Sequence, residues 1–303
     1  MRYYSFSSYC KKVFGKKLYR VALDAGCTCP NRDGKIDNRG CIFCSKHGSG
    51  DFSISFKGQI LKKEDFIYNH IEAEEGEYIA YFQSYSNTYG DINYLKSLYT
   101  AALDNPLFRG IDIATRPDCI DEEVIEALKE LKNKYLNKFI WIELGLQTIN
   151  PISAKWMRRG YELDVFTKAV KSLNEIGIDV IAHIILGLPH DTKEDVLACI
   201  DYLNNLDIEG VKIHLLHYLK DTDLGEEYLN NNDKYHPLTE DEYVDLVVSC
   251  MGRLKENVVI HRLTGDGNKE DLIAPLWSCD KKHVLNRINH ELKERNITQG
   301  CDL

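Results

Sequence analysis

Three cysteines in one short loop have the spacing of a metal site. Cys29, Cys41 and Cys44 lie in the segment CPNRDGKIDNRGCIFC, where two residues separate the last pair. Thiolates select zinc or iron–sulfur clusters, and a centre with three protein ligands keeps one coordination position open, whereas structural zinc uses four. Cys27 is a candidate fourth ligand, although its C-x-C spacing with Cys29 is poor for zinc. The residues indicate an open three-thiolate centre and leave a four-cysteine zinc site as the alternative.

Strand and helix patterns alternate six times along the chain. Periods of about 3.6 residues predict helices at 62–75, 91–103, 121–137 and 164–177 and after the N-caps Thr192 and Thr239. Apolar runs predict strands at residues 18–23, 78–83, 108–115, 139–146, 179–186 and 210–219. Such alternation is typical of an α/β fold with parallel strands. Periodicity alone leaves open whether the fold is a doubly wound sheet or a partial barrel.

Polar residues follow or end each predicted strand. In a doubly wound sheet and in a partial barrel alike, the carboxyl ends of the parallel strands meet at one edge, and the active site lies there. The cysteine loop follows the first strand, so it lies at the same edge, and we predict one active site there. The polar residues at this edge are Gln83, Ser84, Thr115, Arg116, Asp118, Glu143, Gln147, His183, Gly187, Lys212, His214 and His217.

Glu143 is the clearest anomaly among these residues, because a carboxylate inside an apolar strand is costly unless it is paired or binds a ligand. Lys212, His214 and His217 are the candidate catalytic residues, and the alternative is that the histidines are buried and satisfied by neighbours. Lys212 and His214 share a face of their strand, while His217 lies opposite unless a bend intervenes. Arg116, which precedes a proline, is equally compatible with a structural turn.

Composition narrows the class of protein. The 303 residues carry a net charge of −9, which argues against general nucleic-acid binding, but residues 1–46 hold ten Lys/Arg and three Asp/Glu. No secretory signal and no apolar run of about 18 residues is present, so we expect a cytoplasmic protein that does not enter a membrane. The chain has ten cysteines, and clustered cysteines in a reducing compartment are more often metal ligands than disulfides, whereas isolated ones are usually small buried residues.

Nine short segments follow one another along nearly the whole chain. They are CPNRDG at 29–34, GCIFC at 40–44, YFQSYSNTY at 81–89, TRPDC at 115–119, ELGLQT at 143–148, RRGY at 158–161, HIILGLP at 183–189, KIHLLH at 212–217 and APLW at 274–277. In these segments the chain resembles radical SAM enzymes, and within them the YhcC/YtqA-type members of the Elp3-like branch. The resemblance implies a partial (β/α)6 TIM-like barrel. We expect an N-terminal extension at residues 1–17, a core at 18–258 with the cluster loop at 26–50, and a C-terminal extension at 259–303.

The resemblance implies that Cys29, Cys41 and Cys44 hold a [4Fe–4S] cluster, and it does not assign Cys27 as a ligand. The open iron binds S-adenosylmethionine (SAM), and an electron from the cluster cleaves SAM to a 5′-deoxyadenosyl radical. The resemblance implies that Gln83 and Ser84 contact the methionine amine of SAM, and that Glu143 and Gln147 hold its ribose and methionine part. It also implies that Arg158 and Arg159 pair with the SAM carboxylate and that the segment around Gly187 passes under the adenine. Thr115, Arg116 and His183, at the same edge, complete the candidate cofactor-binding residues.

The resemblance also implies a substrate, a tRNA. The reaction implied is the conversion of a carboxymethylaminomethyl group to aminomethyl at C5 of the wobble uridine, ahead of a methyltransferase, with a flavodoxin- or ferredoxin-type electron donor. We expect the basic segment 11–20 to lie beside the cysteine loop and to contact the tRNA. The aromatic residues interleaved with it, which could stack RNA bases, are Tyr3, Tyr4, Phe6, Tyr9, Phe14 and Tyr19. Two alternatives remain: a radical SAM enzyme with a substrate other than tRNA, and a zinc-stabilised RNA-binding protein without catalysis.

Overall fold

The fold is built on one curled parallel sheet. The computed structural model describes residues 2–46, 48, 53–69, 77–265 and 269–303. Within them, eight strands form a half-barrel, and β8 and β10 form a separate antiparallel pair. In chain order the strands are β1 (Leu18–Asp24), β2 (Ile54–Ser55), β3 (Glu77–Phe82), β4 (Phe108–Thr115), β5 (Phe139–Gln147), β6 (Asp179–Leu186), β7 (Gly210–Leu215), β8 (Tyr218–Leu219), β9 (Val259–Arg262) and β10 (Leu272–Ala274). The half-barrel order is β2-β1-β3-β4-β5-β6-β7-β9.

Helices connect the strands and cover the outer face of the sheet. The predicted N-caps are confirmed: Thr192 and Thr239 form capping boxes with Asp195 and Glu242. The helices are α1 (Phe6–Phe14), α2 (Ile92–Asp104), α3 (Glu122–Lys134), α4 (Pro151–Trp156), α5 (Leu163–Glu175), α6 (Lys193–Asn204), α7 (Asp223–Asn230), α8 (Glu240–Arg253) and α9 (Lys281–Glu294). In place of the helix expected at 62–75, a 3-10 helix spans Lys63–Asn69, and residues 70–75 lie outside the described residues. No helix in the described part of the chain has the length and apolar character needed to cross a bilayer.

The predicted α/β fold and partial TIM-like barrel are confirmed, and the six predicted strands lie side by side in the middle of the sheet. The short edge strands β2 and β9 were missed because two to four residues carry no recognisable alternation. The predicted strand at 210–219 is wrong in its second half. Strand β7 ends at Leu215, and Tyr218 turns away to pair with β10. Strand β9, which starts at Val259, completes the sheet from within the expected C-terminal extension.

Alternate residues of the strands face the inside of the half-barrel and form layers. The layer nearest the strand starts is apolar and includes Leu18, Ile79, Trp141, Ile181 and Val259. One step further along the strands, the next layer is polar and ionisable. Its members are Arg20, Tyr81, Asp112, Glu143, His183, Lys212 and His261. The apolar layer seals one end of the lumen, so the polar layer is open only toward the carboxyl ends of the strands.

Helix α1 closes the sealed end of the half-barrel. Phe6 and Tyr9 contact Trp141 at ring-centroid distances of 6.2 and 5.9 Å, and Phe14 lies 5.3 Å from Phe139. These aromatic side chains pack in the core. The prediction that the basic and aromatic segment 11–20 lies beside the cysteine loop and stacks RNA bases is therefore wrong. Helix α1 precedes β1 and the loop follows it, so the seven residues of β1 separate the two by about 20 Å.

Candidate active site

One cavity of about 390 Å³ opens at the carboxyl ends of the strands and joins the cysteine loop to the polar layer. Most of the predicted site residues line it together. They are Cys29, Cys41, Cys44, Gln83, Thr115, Arg116, Glu143, Gln147, His183, His214 and His217. Ser84, Arg158, Gly187 and Lys212 are not part of its described lining. The edge of the sheet thus brings the cysteines and the ionisable side chains into one chamber, as the strand-end argument expects.

Hydrogen bonds to the backbone hold the cysteine loop in shape. The guanidinium of Arg32 donates to the carbonyl oxygens of Cys44 and Ser45 at 2.8 and 2.7 Å. The amide of Asn31 donates to the carbonyl oxygen of Arg158 at 2.7 Å, which ties the loop to the end of α4. Gly40 has a φ of +80°, and a Cβ there would lie 2.7 Å from the Arg32 side chain. Glycine is required at this turn, because any side chain would displace Arg32.

The thiols of the loop are half-buried, and the guanidinium groups of Arg32 and Arg116 make their surroundings basic. Burial raises the pKa of Cys41, and it raises that of Cys44 to about 12, so each loses a proton when a metal binds. Arg116 lies close enough to Cys41 for its charge to oppose this rise in the pKa of the Cys41 thiol. Cys27 instead packs against the apolar core outside the chamber. The geometry separates Cys27 from the three cysteines that share the cavity.

The donor set fits an iron–sulfur cluster. Cys29, Cys41 and Cys44 line the same cavity, and Cys27 is not part of its described lining. A structural zinc ion takes four protein ligands, whereas three thiolates can hold a [4Fe–4S] cluster with one iron left open. The residues present therefore fit a cluster held by three cysteines.

Glu143 is the centre of the polar layer and is about 1% exposed. Its Oε2 accepts hydrogen bonds from Tyr81 Oη at 2.8 Å, His183 Nε2 at 2.9 Å and Lys212 Nζ at 2.5 Å. Burial alone would raise the pKa of Glu143, but Lys212 and His183 hold it well below its usual range. Partners from three other strands thus compensate the buried charge of Glu143, which was the anomaly in the sequence. The lone pairs of its carboxylate are largely occupied by hydrogen bonds from the protein itself.

Lys212 and its neighbours form the rest of this network. Burial lowers the pKa of Lys212 to about 7, although Glu143 opposes the shift. Arg20 donates from Nε to Asp112 at 2.7 Å, and burial together with the nearby Glu143 raises the pKa of Asp112 to about 7. Burial also lowers the pKa of His183. Such shifted groups in a cleft are typical of active sites.

Other predicted residues have structural partners. Thr115 donates from Oγ1 to Thr88 Oγ1 at 2.6 Å, since the Thr88 hydroxyl donates in turn to the carbonyl oxygen of Cys119. Arg116 binds Asp118 through two nitrogens, at 2.9 and 2.8 Å, and still lines the cavity. Gln147 has a φ of +68° at the bulged end of β5. Thr115, Arg116 and Gln147 can therefore shape the chamber as well as contact a ligand.

Four predicted residues lie elsewhere. Arg158 forms an ion pair with Asp223, so its guanidinium is turned away from the chamber, and Ser84 is buried. Gly187 lines a second cavity next to α6. Lys212 lies behind Glu143 in the wall. Their cofactor or catalytic roles remain predictions.

The chamber also contains residues that the sequence analysis missed. Tyr81 lines it, and Arg20 and Asp112 support its wall. Charged residues inside apolar strands would have revealed Arg20 and Asp112, by the argument that selected Glu143. Arg262 also lines the cavity, from the unpredicted edge strand β9. His217, placed on the opposite face by strand alternation, reaches the chamber because the chain bends after Leu215.

Comparison with known proteins identifies the family. Residues 38–203 match the Radical SAM superfamily, and residues 208–294 match the Radical_SAM C-terminal domain. The uncharacterized protein YtqA of Bacillus subtilis is 38% identical over 301 residues, which cover 99% of this chain and 92% of YtqA. These matches confirm the resemblance carried by the cysteine loop and the strand-end segments.

Two further proteins are similar over part of their length. A tRNA uridine(34) acetyltransferase of Methanocaldococcus jannaschii is 28% identical over 139 residues, 45% of this chain and 24% of that protein. The solved structure of Methanocaldococcus infernus Elp3, lacking residues 1–46, shares the fold with a TM-score of 0.70 at 16% identity. This likeness covers 94% of the chain described here, which spans only 64% of that Elp3 chain. The chain belongs to the radical SAM superfamily, and it is a radical SAM enzyme that uses a [4Fe–4S] cluster and SAM.

Proposed function

We propose that this enzyme modifies tRNA, by converting the carboxymethylaminomethyl group at C5 of the wobble uridine to aminomethyl. The observation that carries the proposal is the single chamber that joins Cys29, Cys41 and Cys44 to a layer of ionisable side chains. The cluster and SAM, when bound, would supply a radical that abstracts hydrogen. In the proposed net reaction the bond between the nitrogen and the carboxymethyl carbon breaks, water is consumed and the two carbons leave as glyoxylate. SAM would be the two-electron oxidant and would end as 5′-deoxyadenosine and methionine. A lumen sealed at one end limits the access of water to such chemistry, and the polar layer can orient a polar side chain of a base.

The substrate class is supported by a relative. The relative that shares 28% identity over 139 residues is named a tRNA uridine(34) acetyltransferase, and this name supports the same base as the substrate here. A flavodoxin- or ferredoxin-type protein as electron donor and a methyltransferase that uses the aminomethyl product are part of the proposal. We also place the protein in the cytoplasm, because ten free cysteines are compatible with a reducing compartment.

The experiment that tests the function is nucleoside mass spectrometry of tRNA from a strain that lacks the protein. We expect carboxymethylaminomethyluridine to accumulate and its aminomethyl-derived products to disappear. Restoring the gene reverses both changes, while a Cys44→Ala version does not. Unchanged tRNA nucleosides would contradict the tRNA proposal and favour a radical SAM enzyme with another substrate.

The surface that meets tRNA is predicted to be the mouth of the chamber. Lys35 and Arg39 are exposed on the cysteine loop, and Lys35 lies 5.0 Å from the centre of the Tyr89 ring. We expect the double substitution Lys35→Glu, Arg39→Glu to weaken tRNA binding and to reduce the slope of log affinity against log salt by about 1 to 2, because phosphate contacts are lost.

A matched control lies at the other end of the half-barrel. Lys11 and Lys12 are exposed on α1, about 20 Å away by the length of β1. The same charge reversal there, Lys11→Glu with Lys12→Glu, should leave tRNA binding and its salt slope near the wild-type values in filter-binding titrations. Iron content is measured for both variants to confirm equal cluster loading. Equal losses from both pairs would show that tRNA binding does not depend on the mouth.

A further inference from the structure

A bulge in β9 turns Arg262 toward the lumen, beside His261 of the same strand. Val211 pairs with Ile260, but the next residue, Lys212, pairs with Arg262, so His261 is the extra residue of the bulge. His261 accepts a hydrogen bond at Nδ1 from Arg20, at 2.6 Å, and Arg262 lines the chamber. Two consecutive residues of one strand thus face the same side. Bulges re-aim side chains in this way next to active sites.

The neighbouring strand leaves room for this arrangement. A Cβ at Gly210 would lie 2.5 Å from the His261 ring and 2.8 Å from the carbonyl oxygen of Val259. The φ of Gly210 is not in the left-handed region, so the close approach of β9 is what requires glycine here. The bulge in β9 therefore depends on the sequences of both β7 and β9.

The inner wall of the chamber is rich in cationic and imidazole side chains. His183, His214, His217 and Arg262 all line it, and the His183 and His214 rings are 5.0 Å apart. His214 Nε2 is buried and has no hydrogen-bond partner within the described residues. Burial, His183 and then Arg262 hold the pKa of His214 well below its usual range. A buried polar atom without a partner at a cavity wall is a place where a ligand atom is expected.

We propose that Arg262 and His214 form a subsite for a carboxylate group carried by the substrate, with Arg262 as the specificity-determining residue. The identity of that substrate rests on the proposed function, in which the side chain ends in a carboxylate before the reaction and in an ammonium after it. A guanidinium offers five N–H donors in a planar fork and suits a carboxylate even when part of it serves another partner.

The position of the subsite favours a group on the base over a backbone phosphate. Arg262 pairs with Lys212 of the polar layer in the sheet and lines the chamber, where a projecting side chain of the substrate can reach it. The neutral imidazole of His214 adds a donor without a further charge. An ammonium product would face a guanidinium of like charge, and we expect it to bind more weakly and to leave.

The test compares two nucleosides that differ in the carboxylate. Binding of 5-carboxymethylaminomethyluridine and of 5-aminomethyluridine to the reconstituted protein with SAM, without reductant, is measured by calorimetry. We expect the first to bind at least about 10-fold more tightly, which is the range of one charge-assisted hydrogen bond. Arg262→Gln should abolish the difference and Arg262→Lys should keep part of it. The control Arg253→Gln, whose partner Asp201 is half-exposed outside the lumen, should keep all of it.

A probe independent of tRNA separates this proposal from the proposed function. N-methylglycine, titrated into the protein with SAM present, carries the same carboxylate and amine without a nucleoside. Binding that is lost in Arg262→Gln and kept in Arg253→Gln supports the subsite even if tRNA nucleosides prove unchanged in the deletion strain. Two results would overturn the subsite. One is equal binding of N-methylglycine by the wild type and a cluster-loaded Arg262→Gln variant. The other is equal binding of the two nucleosides by a wild-type protein that does modify tRNA.

Discussion

Substituting alanine for Cys29, Cys41 or Cys44 will abolish formation of 5′-deoxyadenosine from SAM, whereas Cys27→Ala will not. The first three thiols line one chamber, and Cys27 packs against the core. A cluster with two cysteines left has no stable anchorage, so each single change removes the iron as well as the activity. After anaerobic reconstitution, we expect about four iron and four sulfide in wild type and Cys27→Ala, and little of either in the other three.

Cys119→Ala provides a second control from the same region. Cys119 is buried near Cys29, but its carbonyl oxygen, not its thiol, accepts the hydrogen bond from Thr88. This variant should load iron and cleave SAM like the wild type. One zinc in place of iron, or a Cys27→Ala protein without a cluster, would contradict the assignment of the ligands. Either result would revive the four-cysteine zinc alternative.

The sequence predicted the chamber because its geometry follows from strand direction alone. Parallel strands place the residues after each of them at one edge, so Gln83, Glu143, His183 and His214 had to come near the loop of Cys29. No side-chain contact was needed for that inference. The same reasoning applied to α1 would have placed it at the opposite end, and the error there came from reading closeness in sequence as closeness in space.

What escaped prediction depends on contacts that no local pattern reveals. The bulge that admits Arg262 arises from the pairing of β9 with β7, two segments more than 40 residues apart in the chain. Arg158 and Arg159 look equivalent in sequence. In the structure Arg158 pairs with Asp223, while Arg159 is buried and donates to the carbonyl oxygens of residues 146, 148 and 161. Which arginine faces a cavity is decided by such partners.

The second large effect is expected at Glu143. Glu143→Ala will destabilise the protein by about 3–5 kcal/mol, because it leaves Lys212 and Arg20 buried without this counter-charge. Lys212→Met should cost less, since Glu143 keeps its hydrogen bonds from Tyr81 and His183. The double variant Glu143→Gln, Lys212→Met removes both charges and should recover most of the loss. Urea unfolding midpoints at equal cluster content measure these differences.

A surface ion pair supplies the control for this comparison. Asp245→Ala breaks contacts to Lys193 and Arg295 that are partly exposed, and it should cost no more than about 1 kcal/mol. If Glu143→Ala lowers the stability by as little, the pair of Glu143 and Lys212 does not organise the lumen. If the double variant is as unstable as Glu143→Ala, the charge is not the cause. A stable double variant that cleaves SAM without modifying tRNA would assign the pair to the chemistry of the substrate.

The pH dependence of unfolding gives the same pair an independent signature. The pKa of Glu143 is held below its usual range in the folded protein, so the folded state binds fewer protons than the unfolded state at acidic pH. Its contribution to stability is therefore complete above the unfolded pKa of about 4.3 and is lost as the pH falls toward the lower folded pKa. The double variant lacks this carboxylate and should lose less stability on acidification. The two stability curves will then approach each other below about pH 4, whereas parallel curves would show that Glu143 is not ionised in the lumen.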